Sequence, residues 1–252
     1  MKTDKVNYTI AITGIFFIVL FSMCSVVNPV VKKQINIDGK SHFEVKLIYS
    51  DNFDNDLAGW IAEQGKGSKV SIVNGAMDVE GTAGSTVWFD KSINAPMMIE
   101  YDATIIDSGG VNDRIADLNC FWLATDPANR DSFFANSKNR NGVFGIYDSL
   151  QLYYVGLGGH NNTTTRFRKY EGDGNKPVLP ENDLSASEFL ITPNQINHVK
   201  IVVYNQVIQY YRNDQLIYNI VDKTPYRSGY FGIRGTRNHT KVDNFKVYEQ
   251  IR

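Results

Sequence analysis

Two short runs of alternating polarity, residues 69–73 and 76–79, are separated by Asn74-Gly75. Asn-Gly between alternating runs marks a tight hairpin, because the favoured turn needs left-handed backbone at both central positions and these residues adopt it cheaply. The same grammar continues down the chain. Residues 86–89, 96–106, 117–125, 151–155, 163–170, 198–204, 207–212, 215–220, 229–235 and 242–248 read as strands, with Asn205-Gln206 and Asn213-Asp214 as turns. No stretch keeps a helical period, and there is no internal repeat. Many short strands at this spacing predict an all-β chain folded as a two-sheet antiparallel sandwich.

The 252 residues begin with Lys2 and Lys5 ahead of an apolar run, residues 10–23, followed by Cys24. A charged start, a short apolar core and nearby small residues are the features of a bacterial secretory signal. Residues 1–24 are therefore expected to be a signal peptide or lipoprotein signal, with Cys24 as the acylation point of a lipoprotein or merely a signal residue. Residues 25–46 have mixed polarity and read as a linker or arm, and residues 47–250 as one domain. Localisation follows as secreted, periplasmic or outer-membrane-anchored. The only other cysteine is Cys120, among apolar neighbours, so it reads as a buried inert thiol and no internal disulfide is available. The net charge of -1 and pI near 6.4 speak against nucleic acid as a partner, which would want a basic stripe.

Chemistry concentrates in residues 151–170, QLYYVGLGGHNNTTTRFRKY. Alternation puts Tyr153 and Val155 on one face and Leu152 and Tyr154 on the other. In the second run Thr164, Arg166, Arg168 and Tyr170 share a face. Two arginines in sequence on one strand face are poor core material and good material for an anion or a dense array of hydroxyls. Arg166 and Arg168, with Tyr153, Asn162 and Tyr170, are candidate substrate-binding residues; pairing with neighbouring acids is the competing role for the arginines. Tyr153 or Tyr154 would stack on sugar rings. His160, in the Gly-rich turn, is a candidate general base, and Tyr154 a further catalytic candidate. Two long polar segments, residues 126–148 and 171–195, flank this stretch, and long loops in compact β domains shape sites.

Asp117, Asn119 and Phe121 fall on one face, making Asp117 a candidate catalytic acid and Asn119 a binding residue. Asp113 and Asp126 are further acids, and Asp113 with Asp117 would supply the carboxylate pair that glycoside hydrolysis needs. Asp51, Asp54 and Asp243 form a candidate calcium site of oxygen ligands, with ordinary Asx turns as the competing reading. No cofactor is otherwise expected. No zinc spacing, nucleophile elbow or phosphate loop occurs.

The opening YSDNFDND with Gly59-Trp60, the hairpin VSIVNGAMDVEG and the ending GYFGIRGTRNHTKVDNFKVYE resemble the concanavalin-A-like jelly rolls. Within that group they are similar to domains related to 3-keto-disaccharide hydrolases and laminin-G-like glucanase modules. The segments NDRIADLNCFWLATDP and LYYVGLGGHNNTTTRFRKY resemble a narrower bacterial family associated with polysaccharide, often pectin-type, utilisation. The resemblance spans residues 47–249. It implies a concanavalin-A-like jelly roll with glycan lying across one concave sheet. The ExxxE strand of laminarinase-type jelly rolls is missing. The combined expectation is a secreted carbohydrate-active protein whose partner is a polysaccharide or oligosaccharide. As an enzyme it would cleave an acidic, pectin-type polymer, by lyase chemistry in preference to hydrolysis. The alternative is a non-catalytic glycan-binding module or surface structural protein.

Overall fold

The computed structural model describes residues 31–39 and 41–251. The signal segment and Cys24 lie outside the described residues. Seventeen strands are described: β1 Lys32–Asn36, β2 His42–Asp51, β3 Trp60–Gln64, β4 Ser68–Ile72, β5 Met77–Gly81, β6 Gly84–Phe89, β7 Ile93–Asn94, β8 Met97–Ile105, β9 Leu118–Thr125, β10 Gln151–Gly158, β11 Thr164–Glu171, β12 Asp183–Leu184, β13 Asn197–Tyr204, β14 Val207–Arg212, β15 Gln215–Val221, β16 Ser228–Thr236 and β17 His239–Gln250. All pairings among them are antiparallel.

One sheet runs β1-β2-β17-β8-β13-β14-β15, with β5 also on β17 and β4 on β5. The other runs β12-β11-β10-β9-β16-β6-β3, with β7 on β16. Alternation decides what lies between them. From β9, Leu118, Cys120 and Trp122 point inward; from β10, Tyr153, Val155 and Leu157; from β17, Val242 and then, past a bulge at left-handed Asn244, Phe245 and Val247. This is the two-sheet sandwich that the strand pattern predicts. Burial pushes the Cys120 thiol up to about 12, as suits an inert core cysteine.

Residues 32–46 depart from the expected arm. β1 and β2 form a hairpin whose second strand pairs with β17, Tyr49 opposite Val247. Ile37, Phe43 and Val45 are buried on the outer face of the first sheet, Phe43 stacked 4.6 Å from Tyr204. The alternation is there in HFEV, but the charged residues between hid it.

The second sheet is also covered on its outer face. Phe133, Tyr147 and Leu150, from the long segment before β10, form a second core with Trp88, Phe121, Leu152, Tyr154 and Tyr170. The protein itself therefore occupies much of this outer face.

Candidate functional site

The outer face of the second sheet is laid out in two rows crossing the strands. One row runs Arg168, Tyr154, Phe121, Gly232, Trp88, Ile61, each residue facing the next on the neighbouring strand. The other runs Arg166, Gly156, Asn119, Arg234, Thr86, Glu63. The second row is polar almost throughout, and the far end of it is sealed. Arg140 Nε donates to Glu63 Oε1 at 2.9 Å, and the Tyr147 hydroxyl donates to Glu63 Oε2 at 2.8 Å. Arg234, only 1% exposed, donates to Thr86 Oγ1 at 3.0 Å and to the Gly142 carbonyl at 2.8 Å. Gly142 must be glycine: its φ is +76°, and a Cβ there would lie 1.9 Å from the Gly84 carbonyl oxygen.

The near end stays open. A pocket of about 150 Å³ is lined by Asp117, Tyr154, His160, Arg166 and Arg168, with Phe144 as one wall and Gly156, Gly159 and Thr164 beneath. The structure thus brings together five residues singled out from sequence. Gly156 makes the pocket by omission. A Cβ there would meet the Tyr154 hydroxyl at 2.2 Å, so glycine lets the ring lie over its own strand.

The two arginines divide the roles that sequence left open. Arg166 is a structural cation: its Nε and Nη2 hold both carboxylate oxygens of Asp183, at 2.8 and 2.9 Å. Its Nη1 lies 2.6 Å from His160 Nε2. A guanidinium only donates, so that imidazole nitrogen accepts and the ring proton sits on Nδ1. His160 is therefore not the unencumbered base expected. Arg168 has no hydrogen-bonded or ion-paired partner among the described residues, and its Nε is buried without one. Beside it, burial and then the charge of Asp117 push the Tyr154 phenol well up, against the opposing influence of Arg234 and Arg168. Tyr154 therefore stays protonated and can donate, not abstract.

Asp117 lies just before β9 with left-handed backbone, φ 63°, rather than continuing the strand face of Asn119. Its carboxylate is ion-paired to Arg114, which also donates to the Thr236 carbonyl at 2.7 Å and to Asn161 Oδ1 at 2.6 Å. Asp113 does not line the pocket, so the expected carboxylate pair is not formed there. Its Oδ2 accepts from the Ser108 and Gly110 amides, at 2.7 and 2.9 Å, and its Oδ1 lies 3.2 Å from His239 Nδ1. Burial alone would raise the Asp113 carboxyl, but those amides and His239 hold it below the usual carboxylate value. Asp126 is engaged by Asn129 at 3.0 Å and lies near Arg140, shaping the long segment.

Four proposed binding residues do not line this pocket. Tyr153 faces the inter-sheet core, its hydroxyl donating to Asp222 at 2.6 Å, as alternation opposite Tyr154 requires. Tyr170 is fully buried, its ring 5.8 Å from that of Tyr154. Asn162 staples the turn to the chain ahead of β13, with both amide atoms on the Ile191 backbone at 2.8 and 2.9 Å. Asn119 is buried between Gly156 and Arg234, its Oδ1 without a partner.

The proposed calcium ligands are not brought together. Asp51 accepts from Trp60 Nε1 at 2.9 Å and from the Phe53 amide at 2.9 Å; Asp54 pairs with Asn52; Asp243 caps the Asn244 amide at 2.6 Å. These are the ordinary local turns of the competing reading. Among the described residues the group with ligand atoms within 4.8 Å of one another is Asp78, Glu80 and His239.

Sequence reasoning missed Arg234, Arg114, Asp183 and Phe144. Arg234 had a signal: it stands between Ile233 and Gly235 in a strand, on the face opposite the core. Asp183 and Phe144 act through chain-distant partners that no local pattern reveals, and Arg114 pairs locally with Asp117 but also reaches Asn161 and Thr236.

Residues 79–245 match the family described as a domain of unknown function, DUF6250. The chain belongs to the DUF6250 family. Every residue lining the pocket falls inside the matched span, whereas β1 to β4 precede it. No curated protein matches the chain. Among solved structures, this DUF6250 protein is similar to a Bacillus subtilis protein of unknown function with a galectin-like fold: TM-score 0.64, 15% identity, 82% of this chain and 97% of that one. It is similar to an endo-β-1,3-glucanase from Pyrococcus furiosus, with TM-score 0.53, 14% identity and coverage of 86% and 98%. It is also similar to the carbohydrate-binding module CBM66 from Bacillus subtilis, with TM-score 0.50, 16% identity and coverage of 74% and 93%. At these identities the likeness carries the jelly-roll fold and no more.

Proposed function

We propose that this DUF6250 protein recognises an acidic saccharide, with Arg168 pairing the sugar carboxylate in the open pocket. The observation that carries the reading is the Arg168 guanidinium, part-buried and unpartnered while the neighbouring Arg166 is fully engaged. A buried donor left unmet costs free energy, which an incoming carboxylate would recover through two parallel hydrogen bonds. Tyr154 adds a hydroxyl donor and an aromatic edge beside it. The fold likeness to a glucanase and a carbohydrate-binding module supports a carbohydrate ligand by analogy. Export through the N-terminal signal, with Cys24 as a lipid anchor, belongs to the same proposal.

β-Elimination is the second reading, favoured over hydrolysis by one observation. Arg168 would neutralise the carboxylate while the protonated Tyr154 donates to the leaving oxygen. Hydrolysis lacks its second carboxylate, since Asp113 is turned away. A lyase also needs a base, and both His160 and Asp117 are already engaged, by Arg166 and Arg114. Binding is thus the better supported function. Incubation with uronic polysaccharides tests both: retardation in affinity electrophoresis without product supports the binder, and absorbance from an unsaturated uronate supports the lyase. Absence of retardation by every acidic glycan would refute the proposal.

A further inference from the structure

The pocket is walled by Phe144 and the His160 turn, with the Lys176–Asp148 bridge standing just beyond its lining, and this bears on how a polymer can approach. Across the sheet, the wall is Phe144 and the segment holding it. That segment is pinned by Arg140 on Glu63, by the Gly142 carbonyl on Arg234, and by backbone contact of Gly142 with Gly84. Phe144 also lies 4.9 Å over the Arg234 guanidinium. Along the strands in one direction, the turn at His160 stands over the pocket, tied down by Arg166. In the other direction, Lys176 forms an ion pair with Asp148 and lies 5.6 Å over the Tyr170 ring and 5.7 Å from that of Phe144. This bridge joins the two long segments beyond Arg168. The pocket volume of about 150 Å³ is half of the roughly 300 Å³ at which drug-sized pockets begin.

We infer that the pocket takes a single acidic sugar at a chain end and does not hold an internal stretch of polymer. This rests on the proposal that Arg168 receives a sugar carboxylate. An extended glycan passing through would have to leave on two opposite sides, and each such axis is blocked. Across the strands lie the pinned segment and Phe144; along them lie the His160 turn and the Lys176–Asp148 bridge. A terminal residue needs only the solvent side, which is open. The polar row beneath the covering segment, Asn119 to Glu63, is then a sealed structural feature, not part of the trough.

The test is a titration of the full chain with size-defined oligouronides, from monomer to octamer, and with the parent polymer, followed by native mass spectrometry and calorimetry. Terminal recognition predicts at most one protein per end of the same kind at every length. Capacity per gram of glycan then falls as the inverse of chain length, and affinity per chain levels off after the first few units. Several proteins per octamer, with capacity per gram independent of length, would overturn terminal recognition while leaving Arg168 recognition of acidic sugar intact. Lack of binding by any member, or binding that Arg168→Gln leaves unchanged, would overturn both. A shortened wall, Phe144→Ala, adds a check that does not depend on stoichiometry. It should let the polymer compete better relative to the dimer, and an unchanged ratio counts against the wall.

Discussion

Replacing Arg168 by Gln separates a ligand-binding guanidinium from a structural one. In the folded protein Arg168 leaves no carboxylate behind when removed, because Asp183 is held at two points by Arg166. Removing it also relieves a part-buried, unpartnered charge. Stability should therefore change by no more than about 0.5 kcal/mol, or rise slightly. Ligand binding should suffer far more. A hydrogen bond to a charged group is worth about 1.5–3 kcal/mol, and about 1.4 kcal/mol is a factor of ten, so affinity for an acidic oligosaccharide should fall roughly 10- to 150-fold. Arg168→Lys should recover only part of this, since an ammonium lacks the planar fork. Arg166→Gln is the matched control. It breaks the pair with Asp183, which is partly exposed on both sides, and should cost about 0.5–1 kcal/mol. Thermal unfolding and calorimetric titration on the same three variants give the answer. If Arg168→Gln lowers the melting temperature as Arg166→Gln does while affinity holds, the site assignment is wrong.

Gly156→Ala drives a methyl into the Tyr154 hydroxyl at 2.2 Å, so the ring must shift. A loss of about 1–3 kcal/mol by chemical denaturation is expected, together with weakened glycan binding. Arg140→Met strands the buried Glu63 carboxylate and should destabilise by about 3–5 kcal/mol, read by urea unfolding; a neutral result would mean the long segment is not pinned there. The Asp78–His239–Asp113 chain gives a pH signature. Burial disfavours the His239 imidazolium, but the hydrogen bond and charge of Asp78, with Asp113 and Glu80, outweigh it and raise the pKa above the ordinary 6.5. Its stabilisation is thus complete below about pH 6.5 and fades as the pH climbs through the raised value. Asp113, lowered from 3.8, stabilises above that value and loses the effect as the pH falls through its folded pKa. Melting temperature should decline on the alkaline side, and His239→Gln should flatten that decline. Cys24→Ala should release the protein from membrane fractions if Cys24 is acylated, and unchanged fractionation would count against the anchor.

The sandwich was legible because alternation is local. Most strands from β4 on announce their inward face, and Leu118, Cys120 and Trp122 point where their spacing says; β17 does not, because left-handed Asn244 shifts the inward set from Val242 to Phe245 and Val247. What alternation cannot tell is what covers the other face. Residues 126–148 are polar in composition, yet Phe133 and Tyr147 anchor the segment to Trp88 and Phe121, and those contacts cross long stretches of chain. The same limit applied to the site. Strand geometry put Arg166 and Arg168 on one face correctly, but Asp183, 17 positions beyond Arg166, decided which one was spent. Tyr153 and Tyr154 pointed opposite ways by the same rule, which left one of them in the core. Asp117 misled because a left-handed residue ends the alternation one position early.

The long strand β17 sits between β2 and β8 and also takes β5, so three strands formed earlier in the chain meet only through it. During synthesis the first sheet stays split until residues 239–250 have emerged. Closing it joins Tyr49 to Val247, a separation that makes folding slow and late. Until then β2, β5 and β8 each keep an open edge that only this last strand can cover.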